Sequence, residues 1–307
     1  MPSRRQVIQT GATLLGLAAA LPLLPHRALA LEPGQLLQRK IPASGELLPV
    51  IGLGTSRTFH VRLDDASLAP LEAVMRTFIQ GGASLIDTAP SYGNAEAVTG
   101  ELLRRTGHQG RAFLASKLSA TGRDRGLAQF EASLRALQSE RLDLVQVHNL
   151  QDTRTQLALL RELKAQGRVR YVGITHYREA AHDDLLAVLA REPVDFVQLN
   201  YSVAERNAER RLLPYCADHG IATLINRPFA RGQLFQRVRG RPLPDWAKET
   251  DADSWAQLLL KFILAEPAVT VAIPATSKAH YMADNLGAGL GRLPDAALRE
   301  KIVQAFA

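Results

Sequence analysis

SLIDTA at residues 84–89 is one of three successive apolar runs that decide the fold of this chain. The other two are AFLASKL at 112–118 and LDLVQVHN at 142–149. Each run has the length and composition of a buried strand, and segments with helical spacing of apolar residues separate the runs. Alternation of strand and helix predicts an α/β fold with a parallel sheet.

The same alternation extends from residue 47 to the end of the chain. The predicted strands span residues 48–54, 84–89, 112–118, 142–148, 169–175, 194–201, 221–227 and 269–274. Eight strand–helix units without a domain-scale linker predict a (β/α)8 TIM barrel, which forms a single domain over residues 31–307. The competing fold is an open doubly wound sheet, but no Gly-x-Gly-x-x-Gly turn follows any strand.

Two irregular regions flank this pattern. Residues 32–47 precede the first strand, and we expect them to form a hairpin that closes the lower end of the barrel. Residues 230–252 form a long connection after the seventh strand, and connections of that length are usually functional or mobile.

Composition describes an ordinary globular protein of 307 residues, with 46% hydrophobic and 22% charged residues and a net charge of +7. Arginines cluster after the seventh strand, where they would attract a phosphorylated ligand or form a solvated loop. These arginines are Arg231, Arg237, Arg239 and Arg241. No aromatic residues interleave a basic surface, so nucleic-acid binding is not favoured. The single cysteine, Cys216, excludes an internal disulfide and indicates no metal site.

The N-terminus has the pattern of an export signal. An adjacent arginine pair, Arg4 and Arg5, precedes an apolar stretch over residues 10–24, and a small-x-small cleavage site ends at Ala30. Residues 1–30 resemble a twin-arginine signal peptide. We therefore expect the export machinery of that route as a partner, cleavage after Ala30, and a periplasmic or otherwise exported mature protein. The apolar stretch is short and broken by prolines, which predicts no stable membrane insertion after processing.

Four polar residues lie at or just past the ends of successive strands: Asp87, Tyr92, Lys117 and His148. In a barrel, the C-terminal ends of the strands share one catalytic face. An ammonium group lowers the pKa of a nearby phenol, a carboxylate holds the ammonium charged, and an imidazole can orient a carbonyl. Such a phenol would exchange a proton with a carbonyl oxygen while hydride reaches or leaves the carbon. Each residue alone also has a structural explanation, as a cap, a solvated side chain or a core histidine.

The sequence DTAPSYG at residues 87–93 resembles the Asp-x-Ala-x-x-Tyr-Gly signature of the aldo-keto reductases. Ser116-Lys117, Val147-His148 and residues 167–174 are similar to later landmarks of that family, and the resemblance covers about residues 47–290. It implies that Tyr92 is the general acid–base, that Lys117, held by Asp87, lowers the pKa of Tyr92, and that His148 orients the carbonyl or assists proton transfer.

The resemblance also implies where a nicotinamide cofactor binds. Thr175 and His176 match positions where the family usually has Ser-Asn on the carboxamide, and Gln198 matches the neighbouring glutamine. Asn226 stands where many relatives carry an aromatic residue that stacks on the nicotinamide. Arg227 would replace that stacking, with Phe229 and Arg231 in the same segment.

A second part of the cofactor site follows the last strand. Thr276, Ser277 and Lys278 precede a helix, and a helix N-terminus favours anions. By resemblance this is where the adenosine phosphate binds, with Asp284 and Asn285 near the adenine. Many relatives have Lys and Arg where this chain has Ala275 and Tyr281. Lys278 and Arg231 would compensate, so the expected cofactor is NADP(H) in preference to NAD(H).

The sequence thus predicts an oxidoreductase that transfers hydride between NADP(H) and a small-molecule aldehyde, ketone or alcohol. Two alternatives stay open at this point. Lys117 could form a Schiff base in a lyase, since strand-end lysines in barrels often serve in this way. The chain could also be an NADP(H)-binding accessory or sensing protein with little turnover.

Overall fold

A computed structural model describes residues 35–306. The expected hairpin is confirmed: β1 (Gln38–Lys40) pairs antiparallel with β2 (Leu47–Pro49). Ile41 and Leu48 of the hairpin are buried among the side chains that fill the barrel interior. The hairpin therefore closes the end of the barrel away from the predicted catalytic face.

The main sheet has eight parallel strands in sequential order. They are β3 (Leu53–Gly54), β4 (Leu85–Asp87), β5 (Phe113–Leu118), β6 (Leu142–His148), β7 (Val169–Thr175), β8 (Phe196–Asn200), β9 (Ala222–Asn226) and β10 (Val271–Ala272). Backbone hydrogen bonds also join the first and last strands, because Gly52 donates to Ala272 O at 2.8 Å and Gly54 donates to Pro274 O at 2.9 Å. The sheet thus curls round to meet itself, consistent with a (β/α)8 barrel.

Helices follow the strands along the chain and pack against one another around the sheet. They are α1 (Asp65–Gln80), α2 (Ala95–Thr106), α3 (Arg123–Leu137), α4 (Thr153–Ala165), α5 (His182–Leu189), α6 (Leu212–Asp218), α7 (Gln233–Arg237), α8 (Trp255–Leu264), α9 (Ala279–Gly287) and α10 (Ala296–Phe306). Helix α1 shows why they form: Asp64 caps it by accepting from the backbone N of Ser67 at 2.9 Å. Its residues Leu68, Leu71 and Met75 are buried at helical spacing and face the sheet.

Inside the barrel, three aromatic rings fill the lower half. Phe113, Tyr171 and Phe196 come from β5, β7 and β8, with ring centroids 5.5–6.2 Å apart. The Tyr171 hydroxyl reaches the hairpin, where it donates to Glu46 Oε2 and accepts from the Ser44 hydroxyl, at 2.7 Å each. This packed half supports the upper half, where the polar residues lie.

Two sequence expectations need adjustment, and a third is not tested. The predicted strand 48–54 is two strands, β2 and β3, because residues 50–52 turn from the hairpin into the barrel. The long connection 230–252 contains α7 and a 3-10 helix at Asp245–Thr250. The export signal predicted at residues 1–30 lies outside the described residues. Within residues 35–306, no helix has the length and apolarity needed to cross a membrane.

Candidate functional site

A buried ion pair lies at the centre of the predicted catalytic face. The Lys117 ammonium donates to both carboxylate oxygens of Asp87 and to Thr88 O, all at 2.8 Å. Burial lowers the pKa of Lys117, but the interactions of the ammonium with the Asp87 carboxylate and with Tyr92 outweigh burial and hold that pKa above its usual value of 10.5. The raised pKa favours the ammonium form of Lys117, which is a poor nucleophile, so the site does not favour a Schiff-base lyase.

Amides from neighbouring strands complete the hydrogen bonds of Asp87. Gln198 donates to Asp87 Oδ1 at 2.7 Å, and Gln146 approaches the same oxygen at 3.4 Å. Gln198 in turn accepts from the Thr175 hydroxyl at 3.1 Å. The carboxylate is thus fixed by β5, β6 and β8 at once, and the predicted nicotinamide-binding pair Thr175 and Gln198 is joined to the catalytic group.

Tyr92 lies beside this pair at the end of a 3-10 turn, Pro90–Tyr92. The Lys117 nitrogen is 5.0 Å from the centroid of the Tyr92 ring. Burial raises the pKa of Tyr92 above its usual value of 10, and the charge of Lys117 opposes this rise without cancelling it. We expected Lys117 to lower the pKa of Tyr92. The lysine does act in that direction, but burial raises the pKa by more, so the net shift is upward. Tyr92 is a neutral phenol at neutral pH and is able to donate a proton.

His148 lies on the other side of the tyrosine. The two rings meet edge to face with centroids 6.0 Å apart, and Ser91 Oγ is 3.4 Å from His148 Nδ1. Burial, with smaller contributions from Lys117 and His176, lowers the pKa of His148 from 6.5 to about 4. The imidazole is neutral at physiological pH, so it can orient a carbonyl by hydrogen bonding without adding a charge.

The turn that carries Tyr92 is held against the loop after β3. Gly93 has a φ of 63°, and a Cβ at this position would lie 2.1 Å from His60 Nδ1. That same nitrogen accepts from the backbone N of Asn94 at 3.0 Å, and the Asn94 amide donates to Val61 O at 3.1 Å. A glycine is required here because both the positive φ and the close imidazole exclude a side chain.

A cavity of about 590 Å³ opens at the C-terminal ends of the strands, within the range of small-molecule sites. It brings together most of the residues predicted for catalysis and for the nicotinamide. These are Asp87, Tyr92, His148, Thr175, Gln198, Asn226, Arg227, Phe229 and Arg231. Lys117 lies directly beneath, fully buried, in contact with Asp87.

Six other predicted cofactor residues lie outside the lining of this cavity. His176 follows Thr175 but turns aside, where its Nδ1 accepts from the backbone N of Arg178 at 3.1 Å. Thr276, Ser277 and Lys278 precede α9 as expected, and the Thr276 hydroxyl accepts from the backbone N of Lys278 at 3.1 Å. Their roles stay predictions.

The last two, Asp284 and Asn285, lie on α9. The carboxylate of Asp284 accepts from Ser254 at 2.8 Å and from Gln257 at 2.9 Å, so it already joins α9 to α8. Asn285 is buried. An adenine contact at either residue also stays a prediction.

The cavity fits the amide end of a nicotinamide. Asn226 Oδ1 is buried and has no hydrogen-bond partner among the described residues. Such an orphaned acceptor costs free energy unless a ligand donor reaches it. The Thr175 hydroxyl and the Gln198 amide line the same wall, so the chain offers both donors and acceptors to a carboxamide.

Three residues that the sequence reasoning missed also belong to the site. Gln146 contacts Asp87, Tyr177 lies under the Arg227 guanidinium at 4.2 Å from its ring centroid, and Arg57 lines the cavity. Arg57 and Tyr177 follow β3 and β7 by a few residues, so the rule that placed Tyr92 would have found them. Gln146 lies inside a strand, and the sequence has no signal for it.

Comparisons with known proteins agree with this site. The profile of the aldo/keto reductase family matches residues 50–300. The methylglyoxal reductase YeaE of Escherichia coli is 31% identical over 255 residues, which cover 79% of this chain and 87% of YeaE. An NADH-specific methylglyoxal reductase of the same bacterium is 26% identical over 212 residues, covering 59% of this chain and 63% of that protein.

Solved structures show the same relationship. The crystal structure of an aldo-keto reductase from Klebsiella pneumoniae in complex with NADPH superposes with a TM-score of 0.72 and 26% identity. The match covers 88% of this chain and 96% of that one. The chain therefore belongs to the aldo/keto reductase family of oxidoreductases.

Proposed function

We propose that this enzyme reduces aldehydes or ketones with NADP(H) and that Tyr92 donates the proton. The observation that carries the proposal is the position of the phenol beside a buried ammonium that is itself fixed by Asp87. When bound, the nicotinamide supplies the hydride. The residues of the chain supply the proton, the orientation of the carbonyl and the dry surroundings.

Tyr92 starts as a neutral phenol, because its raised pKa keeps the proton in place. As negative charge develops on the carbonyl oxygen, the phenol transfers its proton there. The charge left on the phenolate is then stabilised by the Lys117 ammonium, which lies in a site of low dielectric constant. General acid catalysis of this kind contributes about a hundredfold to ten-thousandfold in rate.

His148 and the amide wall set the geometry of the reaction. Neutral His148 stands at the edge of the Tyr92 ring and can hydrogen-bond the same carbonyl oxygen. Thr175, Gln198 and Asn226 face the predicted position of the carboxamide across the cavity. Holding both reactants in this way makes the step effectively intramolecular.

NADP(H) is the cofactor we propose, in preference to NAD(H). Arg227 and Arg231 line the cavity and can attract phosphates, and the Klebsiella structure with 26% identity is a complex with NADPH. The NADH-specific relative shows that the other choice exists among similar proteins. Equilibrium binding of NADPH and NADH to the purified protein decides between them.

Deuterium transfer tests the proposed reaction. The purified protein is incubated with NADPH deuterated at the nicotinamide C4 and with methylglyoxal, the substrate in the name of the YeaE relative. One deuterium should appear on the former carbonyl carbon of the product, as read by mass spectrometry. A product without label, or no product with methylglyoxal and a panel of aldehydes and ketones, would contradict the proposal.

We also propose that residues 1–30 direct twin-arginine export and that cleavage follows Ala30. The arginine pair, the apolar stretch and the small-x-small site support this. Fusion of residues 1–35 to a reporter that folds before export tests it, with a double change of Arg4 and Arg5 to Lys as the matched control. The wild-type signal should place the reporter outside the cytoplasm, and the lysine pair should retain it. Equal distribution of the two fusions would overturn the proposal.

A further inference from the structure

The cavity carries more positive charge than the catalytic step requires. Three arginines line it, Arg57, Arg227 and Arg231, and the one lining carboxylate is that of Asp87. Asp87 is already paired with the Lys117 ammonium beneath it. The cavity formed by the described residues is therefore strongly cationic, which favours an anionic ligand.

Two of these arginines lie on the side of the cavity where we predict that the cofactor binds. Arg227 and Arg231 both follow β9, the strand that carries Asn226, and the Arg227 guanidinium stacks on the Tyr177 ring. Arg57 is different, because it follows β3, which neighbours the β4 strand of Asp87. Within residues 35–306 no ion pair involves Arg57. This guanidinium is exposed to the cavity and free to bind a ligand.

The loop of Arg57 is fixed relative to the proton donor at both ends. On one side, the backbone N and the hydroxyl of Thr55 both donate to Asp87 O at 3.0 Å. On the other side, His60 accepts from the backbone N of Asn94, just past Tyr92. Between these anchors, Arg57 has a φ of 68°, a left-handed conformation that few residues other than glycine adopt. The structure thus holds the backbone of Arg57 at a set position beside the turn of Tyr92, from which the side chain lines the cavity.

Part of the remaining wall of the cavity is apolar. Phe229 and Phe235 both line it, and their ring centroids are 4.8 Å apart. A ligand that suits the whole cavity therefore combines a carbonyl for Tyr92, an apolar body and an anionic group. Arginine binds both carboxylates and phosphates with two parallel hydrogen bonds. Arg227 and Arg231 already lie on the predicted side of the cofactor phosphates, so a carboxylate of the substrate is the anion that we assign to Arg57.

We propose that Arg57 binds a carboxylate of the substrate, so that the enzyme prefers aldehydes or ketones that carry a carboxylate on an apolar body. This inference rests on the proposed carbonyl reduction and names its substrate class. Arg57 sets specificity, whereas Tyr92 carries the proton transfer.

Paired substrates test the proposal. The three isomeric carboxybenzaldehydes are compared with their methyl esters, which keep the carbonyl and the ring but lose the charge. The measured quantity is the ratio of kcat/KM for acid over ester, with NADPH as reductant. Arg57→Asn is the variant, because Asn tolerates the left-handed conformation. Arg62→Asn is the matched control, since Arg62 is 88% exposed in the same loop and its one ion pair within residues 35–306 is with Asp64.

The wild-type ratio should be about thirty or more for at least one isomer, and Arg57→Asn should lower that ratio about thirtyfold, to near one, as expected for loss of a charge-assisted bidentate pair. Arg57→Lys should keep part of the ratio, and Arg62→Asn should keep all of it. A wild-type ratio near one overturns the proposal. Equal losses for acid and ester together with weaker NADPH binding would assign Arg57 to the cofactor and also overturn it.

A binding measurement separates this proposal from the proposed reaction. If the wild type reduces neither acid nor ester, carbonyl reduction is what fails, and calorimetric titration with benzoate then decides the role of Arg57. Benzoate should bind at least about tenfold more weakly to Arg57→Asn than to wild type and Arg62→Asn. Equal benzoate affinity in the three proteins would overturn the carboxylate site.

Discussion

The Lys117 ammonium lies 2.8 Å from each carboxylate oxygen of Asp87, and the two side chains are 0% and 4% exposed. Such a pair is costly to break, since removal of one partner leaves a buried charge without compensation. The folded protein therefore needs both partners of the pair, and a catalytic role of the pair is part of the proposed function. Tyr92 lies beside the pair, so the positive charge of Lys117 is held at a fixed position near the Tyr92 ring.

Asp87→Asn should destabilise the protein and reduce its turnover. The amide keeps the shape of the side chain but leaves the buried Lys117 charge unpaired, and we expect the free energy of unfolding to fall by about 3–5 kcal/mol. Urea denaturation measures this change. Asp183→Asn is the control, because Asp183 forms an exposed pair with Arg211 and should change stability by less than about 1 kcal/mol. Similar effects of the two changes would contradict a structural role for the buried pair.

Alcohol oxidation should depend on the ionisation of Tyr92. Oxidation needs the phenolate as base, and the raised pKa of Tyr92 means that the oxidation rate rises with pH up to or beyond about pH 10. Reduction needs the protonated phenol, so the rate of reduction should not fall until the pH reaches the same alkaline range. Lys117→Met removes the charge that lowers the Tyr92 pKa. The alkaline limb of both pH–rate profiles, for oxidation and for reduction, should therefore move to higher pH. A shift to lower pH would show that Lys117 does not act on the phenol.

The acid limb of the reduction profile should report His148. Its pKa is lowered from 6.5 to about 4, so the imidazole stays neutral and active until the pH approaches 4. We expect the pH–rate profile to be flat through pH 6.5 and to fall near pH 4. Circular dichroism at each pH distinguishes this titration from acid unfolding. A limb centred near pH 6.5 in the folded protein would mean that His148 is not buried as described.

Gly93→Ala should disturb the catalytic turn more than an ordinary glycine substitution does. The added Cβ would lie 2.1 Å from the His60 ring, in addition to the strain of a positive φ. Gly107→Ala is the matched control, because Gly107 has a φ of 70° and open space around the position of a Cβ. We expect a loss of about 1 kcal/mol in Gly107→Ala from strain alone. Gly93→Ala should lose more stability than Gly107→Ala and should also lose turnover. Equal losses of stability in the two variants would contradict the requirement for glycine beside His60.

Much of the site could be predicted because parallel strands place their C-terminal ends together. Asp87, Lys117 and His148 were found from their places at strand ends, without any contact information. Gln146 could not be found in this way, because only the register of β6 against β5 shows that it faces Asp87. The direction in which the Tyr92 pKa shifts also could not be predicted from the sequence, since it depends on how far burial outweighs the lysine charge.

Local hydrogen bonds at helix ends were harder to predict. Thr153 and Gln156 have the spacing of a capping box, and α4 does begin at Thr153. The structure does not form that capping box: the Thr153 hydroxyl donates to Leu150 O at 2.7 Å, and the Gln156 amide donates to Gly122 O on a neighbouring loop at 3.1 Å. A tertiary partner thus replaced the local one, which a linear pattern cannot reveal.

Tyr92→Phe tests the central claim most directly. The change removes one hydroxyl and keeps the ring against Lys117 and His148, so the turnover number and the NADPH dissociation constant are measured together. Tyr215→Phe is the matched control, because Tyr215 lies on α6 and stacks on His219, outside the cavity lining. We predict that Tyr92→Phe lowers kcat about a hundredfold to ten-thousandfold and changes NADPH affinity by less than about threefold. A Tyr92→Phe protein that keeps more than about a tenth of the wild-type kcat would contradict the role of Tyr92 as proton donor.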